Sequence, residues 1–272
     1  MHQPIGVFDS GYGGLTVLKE IRQRLPLYDF VYLGDNARAP YGTRSYETVY
    51  QYTRQCVRWF FANGCSLVIL ACNTASAKAL RTIQQRELEQ EYPGKRVLGV
   101  IRPTTEMVGN YSLTRHVGIL ATPGTVQSGS YPIEISKFFP DVKVFQEACP
   151  MWVPLIENNE HNSPGADYFI SQCVERLLEK SPLIDTILLA CTHYPLLMHK
   201  LQKLLPASVT LLPQGSIVAE SLCNYLGRHP EIAANCSKNG SVRFYTTDSA
   251  LTFNQQGSLF YGSEVSSAHV EL

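Results

Sequence analysis

Two stretches of this sequence share one pattern: Leu67-Val-Ile-Leu-Ala-Cys72-Asn-Thr-Ala75 and Thr186-Ile-Leu-Leu-Ala-Cys191-Thr-His-Tyr194. In each, a short apolar run ends in Ala-Cys and is followed by polar residues. Runs of this length and character are typical of buried strands in parallel sheets. Because ligands of open α/β sheets bind at the carboxyl ends of the strands, each cysteine is predicted to lie at the edge of a binding cleft.

A second pair of stretches repeats this organisation. Ile5-Gly-Val-Phe-Asp9-Ser-Gly11 and Val117-Gly-Ile-Leu-Ala-Thr122-Pro-Gly124 each read as a strand that delivers polar residues into a glycine-bearing turn. Two related lobes are the simplest explanation of both repeats, and 272 residues suffice for two domains. The predicted fold class is α/β, with two similar lobes, each a mostly parallel sheet flanked by helices, and an active site in the cleft between them.

The alternation of apolar and amphipathic stretches predicts individual elements. The expected strands are Ile5 to Phe8, Phe30 to Leu33, Leu67 to Leu70, Arg96 to Val100, His116 to Leu120, Val142 to Phe145, Thr186 to Leu189 and Val209 to Leu212. The expected helices are Leu15 to Arg24, Ser45 to Asn63, Ala75 to Glu91, Ala166 to Glu179 and Ser216 to Leu226.

The composition narrows the classes of function. Lysine plus arginine (23) equals aspartate plus glutamate (23), so the basic surface that nucleic-acid binding requires is not indicated. No apolar run approaches the roughly 20 residues that span a bilayer, and the start of the sequence lacks the features of a secretory leader. A cytoplasmic protein with no membrane partner is expected. Its eight cysteines are therefore interpreted as free thiols, and none forms the Cys-x-x-Cys pair of a zinc or redox site.

The repeated cysteines are candidates for chemistry. A cysteine at the end of an apolar strand is more often a small buried hydrophobe, but its occurrence in both halves favours a catalytic pair. Cys72 precedes a helix-favouring run, and oriented N–H groups at a helix N-terminus are expected to lower its thiol pKa towards neutrality. Asn73 and Thr74 either cap this helix or bind a carboxylate. His193 adjoins the second cysteine, Cys191, and is the strongest functional candidate among the histidines.

Two loops offer further polar groups. Asp9-Ser10-Gly11-Tyr12-Gly13-Gly14 reads either as a tight turn or as a site for a small zwitterion, and it matches neither the dinucleotide nor the P-loop glycine pattern. Thr122 and Thr125 either close a turn or reach a ligand. Together these groups suit a racemase, which must remove a proton from one face of a carbon and return one to the other. No specific signal for pyridoxal phosphate, the usual electron sink, is present.

Taken in order, the motifs resemble those of the glutamate racemases over nearly the whole chain. The motifs are Asp9-Ser10-Gly11-x-Gly13-Gly14-Leu15-Thr16, Asp35-x-x-x-x-Pro40-Tyr41-Gly42, Ala71-Cys72-Asn73-Thr74-Ala75-Ser76-Ala77, Ala121-Thr122-x-Gly124-Thr125, Ala148-Cys149-Pro150 and Cys191-Thr192-His193-Tyr194-Pro195-Leu196. The resemblance implies two α/β lobes, with residues 1 to 101 and 213 to 272 in the first and residues 102 to 212 in the second. It also implies a bacterial cytoplasmic enzyme that uses no cofactor or metal and supplies D-glutamate for peptidoglycan.

The same resemblance implies roles for individual residues. Cys72 takes the α-proton of D-glutamate and Cys191 that of L-glutamate, while Asp9 assists the first thiol, His193 the second, and Glu157 supports the site. Substrate contacts are implied for Asp9, Ser10, Pro40, Tyr41, Gly42, Asn73, Thr74, Thr122, Thr125, Thr192 and His193. Homodimers are common among related enzymes, and the sequence leaves the oligomeric state open.

Three alternatives remain open from the sequence. A racemase of the same fold acting on aspartate or another small acid differs only in pocket depth, and one methylene is worth only about 1 to 3 kcal/mol. A cysteine hydrolase with His193 as its base leaves the second Ala-Cys unexplained. A small-molecule binding protein with inert thiols is the third alternative.

Overall fold

A computed structural model describes residues 3–272; Met1 and His2, which the predicted division assigns to the first lobe, lie outside the described residues. The strands form two sheets. They are β1 (Ile5–Asp9), β2 (Phe30–Gly34), β3 (Leu67–Leu70), β4 (Arg96–Gly99), β5 (His116–Ala121), β6 (Lys143–Ala148), β7 (Thr186–Ala190), β8 (Thr210–Pro213), β9 (Val242–Thr246) and β10 (Ser267–His269).

Both sheets are parallel. The larger sheet has the order β10-β9-β2-β1-β3-β4, and the smaller has the order β6-β5-β7-β8. Parallel sheets require both faces to be covered, which explains why β1, β3 and β7 are buried at every position. The predicted fold class, two lobes built on parallel sheets, is confirmed.

The helices connect and cover the strands. They are α1 (Gly14–Arg24), α2 (Tyr46–Ala62), α3 (Asn73–Lys78), α4 (Leu80–Thr82), α5 (Glu89–Glu91), α6 (Ile101–Thr105), α7 (Pro123–Ser128), α8 (Ser130–Phe138), α9 (Trp152–Glu157), α10 (Pro164–Glu179), α11 (Met198–Leu204), α12 (Gly215–Arg228), α13 (Pro230–Asn235) and α14 (Ala250–Tyr261). Among the described residues, none of these helices combines the length and the apolar character that crossing a membrane requires.

The helix predicted from Ala75 to Glu91 is wrong in its continuity. α3 ends at Lys78, and a π-helical turn from Ile83 to Leu88 separates α4 from α5. A π turn accommodates one extra residue, which hydrophobic periodicity does not reveal. The turn buries the Glu87 carboxylate, which pairs with Arg54 at 2.6 Å.

The C-terminal strands and several short helices were not predicted. β9 pairs with β2, and β10 lies at the edge of the larger sheet beyond it. Only Phe244 and Thr246 of these two strands are buried, so β9 and β10 lack the continuous apolar run that identifies the central strands. The chain thus returns to the larger sheet after β8, and α12 packs against α1 on the way.

The topology places the candidate chemistry at one location. β1 and β3 are neighbours in the larger sheet, and β5 and β7 are neighbours in the smaller one. Asp9 ends β1 and Ala121 ends β5, while Cys72 and Cys191 follow β3 and β7 within two residues. The carboxyl ends of four central strands therefore carry the polar residues that the sequence singled out.

Candidate active site

A cavity of about 70 Å³ lies between the two sheets. Cys72, which follows β3 of the larger sheet, and Cys191, which follows β7 of the smaller sheet, both line it. Its walls are formed by Ser10, Pro40, Tyr41, Gly42, Thr43, Cys72, Asn73, Thr74, Thr122, Pro123, Cys149, Pro150, Val153, Pro154, Glu157, Cys191, Thr192 and His193. Of the predicted site residues, Asp9 and Thr125 do not line the cavity; both are fully buried behind the wall.

Cys72 is the N-cap of α3. Its Sγ accepts a hydrogen bond from the Ala75 N–H at 3.5 Å, and the thiol donates to Ser10 Oγ at 3.6 Å. The predicted lowering of its pKa is wrong: burial raises the pKa of the Cys72 thiol to about 12, and the charge of Asp9 adds to the rise. One N–H at 3.5 Å does not offset the loss of water around a thiolate. Cys72 is therefore a thiol at neutral pH.

Asp9 connects the two halves of the site. Its carboxylate accepts a hydrogen bond from the Gly11 N–H at 3.0 Å and another from Thr192 Oγ1 at 3.3 Å. Burial raises the pKa of Asp9, and the positive charge of His193 opposes that rise. The carboxylate of the first sheet thus holds the loop that carries the second cysteine.

Cys191, His193 and Glu157 form a chain of contacts. His193 Nδ1 lies 3.9 Å from Cys191 Sγ, and His193 Nε2 lies 2.9 Å from Glu157 Oε1. Burial by itself lowers the pKa of His193, but the contacts with Cys191 and Glu157 outweigh it and raise the pKa to about 10. The imidazole is therefore charged at neutral pH and attracts negative charge that develops on the Cys191 sulfur.

The Tyr41 hydroxyl contacts the ion pair between Asp35 and Arg38, which lies outside the cavity wall. This hydroxyl donates to Asp35, whose carboxylate also accepts from Arg38 Nε at 2.7 Å and from Thr247 Oγ1 at 2.8 Å. The next residue, Gly42, accepts a hydrogen bond from the Gly124 N–H at 2.8 Å across the cleft. This loop therefore closes one side of the cavity against the second sheet.

Three threonine hydroxyls join the two sheets beside the cavity. Thr74 Oγ1 lies 3.0 Å from Thr122 Oγ1, which lies 3.1 Å from Thr125 Oγ1. The Thr122 hydroxyl also accepts from the Thr125 N–H at 3.4 Å, so Thr122 caps α7. Thr122 and Thr125 therefore close a turn, as one of the two predictions states. Thr122 also lines the cavity, and Thr125 lies behind it.

Several residues that line the cavity are not predicted from the sequence. Cys149 and Pro150 follow β6, and the motif containing them was recognised without a site role being assigned. Their position directly after a strand was the available signal. Thr43, Pro123, Val153 and Pro154 carried no chemical signal that would identify them. Across residues 3–272, no group of three or more histidine, cysteine or acidic side chains is arranged to hold a metal ion.

Comparison with known proteins places this geometry in a family. Residues 7–221 match the Asp/Glu/Hydantoin racemase family. A glutamate racemase from Ruegeria sp. is 40% identical over 271 residues, covering 96% of this chain and 97% of that protein.

Two solved structures have the same fold over almost their full length. A glutamate racemase isoform from Bacillus anthracis superimposes with a TM-score of 0.90 at 32% identity, covering 100% of this chain and 98% of that one. The Francisella tularensis glutamate racemase, solved in complex with D-glutamate, gives 0.87 at 31% identity, covering 99% and 98%. With its two parallel sheets, its Cys72 and Cys191 thiols in one cavity and these full-length matches, the chain belongs to the glutamate racemases of the Asp/Glu/Hydantoin racemase family.

Proposed function

We propose that the protein interconverts L- and D-glutamate by moving a proton between Cα and two thiols, Cys72 and Cys191. The observation that carries this proposal is that Cys72, which follows a strand of the larger sheet, and Cys191, which follows a strand of the smaller sheet, line the same cavity. Two fixed acid/base groups contributed by opposing walls fit inversion at a planar carbanion, whereas a single group would have to move between the faces. Glutamate is proposed as the substrate because the relatives are glutamate racemases, and the two bases are proposed because both thiols line the cavity.

The protonation states favour one starting direction. Cys72 is a neutral thiol because burial raises its pKa to about 12, and the charged His193 supports negative charge on Cys191. With L-glutamate, the Cys191 thiolate takes the α-proton, and the Cys72 thiol then gives a proton to the opposite face. The products are D-glutamate, a Cys191 thiol and a Cys72 thiolate. This product form of the enzyme is ready to react with D-glutamate in the reverse direction. Before the next L-glutamate reacts, Cys191 must lose a proton to solvent and Cys72 must gain one from it.

The remaining polar residues have roles that follow from their contacts. Glu157 contacts Nε2 of His193, and Asp9 accepts a hydrogen bond from Thr192. Both carboxylates therefore position the loop that carries Cys191. The charge of Asp9 also raises the pKa of Cys72, which keeps that thiol protonated before L-glutamate reacts and makes its thiolate the stronger base for D-glutamate. Side chains on the cavity wall hold the substrate, and preorganised donors of this kind contribute several kcal/mol to stabilising developing charge. The proposed substrate contacts are Ser10, Pro40, Tyr41, Gly42, Asn73, Thr74, Thr122, Thr192 and His193. Asp9 acts on the substrate by way of Thr192, and Thr125 by way of Thr122.

The wider assignments belong to the same proposal. We assign β1 to β4, β9 and β10 to a first lobe, residues 1 to 101 plus 213 to 272, and β5 to β8 to a second, residues 102 to 212. The grouping of the strands into two sheets supports this division. The proposed reaction proceeds without a cofactor, in the cytoplasm, and its D-glutamate product serves peptidoglycan synthesis.

Incubation in deuterium oxide tests the proposal. Purified protein without added cofactor, given L-glutamate, is expected to reduce optical rotation to zero and to incorporate deuterium at Cα. L-Aspartate in a parallel reaction tests the rival small-acid racemase, and release of ammonia from glutamine tests the hydrolase. An unchanged optical rotation without deuterium at Cα would contradict the racemase proposal. Faster racemisation of aspartate than of glutamate would mean that aspartate is the substrate. A Cys72→Ser, Cys191→Ser double variant provides the control for contaminating racemases.

A further inference from the structure

A buried hydrogen-bond network lies directly behind Asn73 and joins the two sheets. At its centre is Gln214, which follows β8 and is 4% exposed. Its Oε1 accepts from Asn73 Nδ2 at 2.7 Å, and its Nε2 donates to Tyr131 Oη at 2.7 Å and to Thr104 Oγ1 at 2.9 Å. Gln214 does not line the cavity, whereas Asn73 does.

The direction of each bond in this network is fixed by one backbone carbonyl. The Thr104 hydroxyl donates its proton to the Val100 carbonyl oxygen at 2.8 Å, which can only accept. Thr104 Oγ1 can then only accept from Gln214, so the NH2 group of Gln214 must face Thr104. Gln214 Nε2 also lies 3.5 Å from the same Val100 oxygen, which favours the same orientation. The Oε1 atom of Gln214 is thereby forced towards Asn73.

This order determines what Asn73 can offer to a ligand. The Tyr131 hydroxyl accepts from Gln214 and donates to Asn73 Oδ1 at 2.6 Å, so the Asn73 oxygen is occupied. One of the two Asn73 N–H bonds is used on Gln214, and the other has no partner among residues 3–272. The Asn73 side chain therefore offers the cavity a hydrogen-bond donor, which suits a carboxylate oxygen.

We propose that Gln214 is a positioning residue that fixes the Asn73 amide so that its free N–H binds a carboxylate of the substrate. The inference rests on the proposed function, because it takes an amino acid with carboxylates as the ligand. Without Gln214, the Asn73 amide can rotate and present its oxygen, which repels a carboxylate. Gln214 acts only through Asn73, because it has no contact with the cavity.

Gln214→Met tests this role because it keeps the length of the side chain and removes all of its hydrogen bonds. KM is expected to rise about tenfold for both enantiomers, the effect of one misdirected hydrogen bond to a charged group. Since Asn73 holds the carboxylate equally in the ground and transition states, kcat should stay within about threefold of the wild-type value. Gln84→Met is the matched control: Gln84 also donates to a strand carbonyl, that of Val97 at 2.8 Å, but lies away from the cavity.

A double-mutant cycle separates positioning from general loosening of the fold. In the Asn73→Ala background, Gln214→Met should change KM by less than about twofold, because the residue through which it acts is gone. Additive effects, or a fall in kcat with KM unchanged, would overturn the inference. If Gln214→Met does not fold, Gln214→Asn decides: its side chain is one methylene too short to reach Asn73, and an unchanged KM would contradict the proposal. Tyr131→Phe, which leaves the bond between Gln214 and Asn73 in place, should change KM less.

The two proposals fail in different ways. If the wild-type protein does not racemise glutamate, the proposed function falls and the inference falls with it. If the wild type racemises glutamate but Gln214→Met and Gln214→Asn keep its KM, only the role of Gln214 is overturned.

Discussion

Gly13 lies so close to Thr192 that a Cβ atom on the glycine would come within 2.2 Å of Thr192 Oγ1. The same atom would lie 2.4 Å from His193 Nδ1. Gly13 has φ −57°, a conformation that any residue adopts, so the glycine is needed for space and not for backbone freedom. Its missing side chain lets the loop after β1 contact the loop after β7, and so sets the separation of the two catalytic walls.

Gly13→Ala should therefore impair catalysis while the protein still folds. The added methyl group must displace Thr192 and His193, and a displacement of about 1 Å near reacting groups can cost on the order of 100-fold in kcat. Steady-state racemisation and thermal unfolding provide the measurements. The control is Gly227→Ala, where no atom other than those of the adjoining residues and the helix backbone lies within 4 Å of the new Cβ. Near wild-type turnover by Gly13→Ala would show that the close contact is not needed.

Replacing either proposed thiol should abolish racemisation in both directions. A serine hydroxyl in place of Cys72 or Cys191 is too weak an acid to exchange protons at neutral pH, and general acid/base groups typically contribute 10² to 10⁴-fold. Each Ser variant should thus lose at least about 100-fold in kcat, measured by optical rotation. Cys223→Ser, a free thiol outside the cavity wall, serves as the control. Substantial racemisation by either Cys72→Ser or Cys191→Ser would rule out the two-thiol mechanism.

His193→Asn should affect the two directions unequally. His193 contacts Cys191 and makes no hydrogen bond to Cys72, so proton removal from L-glutamate should slow most. Enantiomers have equal free energies, so kcat/KM must stay equal in the two directions, and the asymmetry must appear in kcat. The isotope effect on kcat should increase more with α-deuterated L-glutamate than with the D-isomer. Equal changes in both directions would argue against pairing His193 with Cys191.

Glu157→Gln should change the pH dependence of the reaction. Contacts with Cys191 and Glu157 raise the pKa of His193 to about 10, and loss of the carboxylate lowers it. The imidazolium would then lose its proton at lower pH, and the alkaline limb of kcat for L-glutamate should move down by about one pH unit or more. Glu160→Gln, at an exposed position, is the control. An unmoved alkaline limb would mean that Glu157 does not support the charge of His193.

Asp29→Asn should reduce stability without touching the site. The Asp29 carboxylate accepts from the Asn239 N–H at 3.1 Å and from the Ser241 N–H at 2.9 Å, which joins the start of β2 to the segment before β9. Burial opposes ionisation, but hydrogen bonds from Ser237, Ser241 and Asn239 outweigh it and lower the pKa of Asp29. Loss of the charged acceptor should reduce the free energy of unfolding by about 1 to 2 kcal/mol at pH 7.

The pH dependence of that loss has a definite sign. A lowered pKa means that the carboxylate stabilises the fold above about pH 4, its ordinary value, and that this contribution fades as the pH falls towards the folded-state pKa. The difference between wild type and Asp29→Asn in urea unfolding should therefore shrink from pH 6 to pH 3. The exposed Asp141→Asn provides a comparison. A difference that stays constant or grows on acidification would contradict this assignment.

Sequence alone was sufficient for the two sheets and the two thiols. The runs before Cys72 and Cys191 are apolar at every position except Thr186, because parallel strands are covered on both faces, so their pattern can be recognised without a structure. Ligands of α/β sheets bind at the carboxyl ends of strands, so the polar residues that follow these runs could also be recognised as candidates for a site. β9, in which only Phe244 and Thr246 are buried, and the edge strand β10, which has no buried residue, gave no such signal.

Tertiary structure decided the protonation states and the close contacts. The pKa of Cys72 depends on its burial and on Asp9, 63 residues earlier in the chain, and these outweigh the local helix-end effect that the sequence suggested. The contact of Gly13 with Thr192 and the link from Gln214 to Asn73 join residues more than 100 positions apart. Sequence patterns report which face of an element is buried, whereas electrostatics and steric contact depend on distances that exist only once the two sheets pack together.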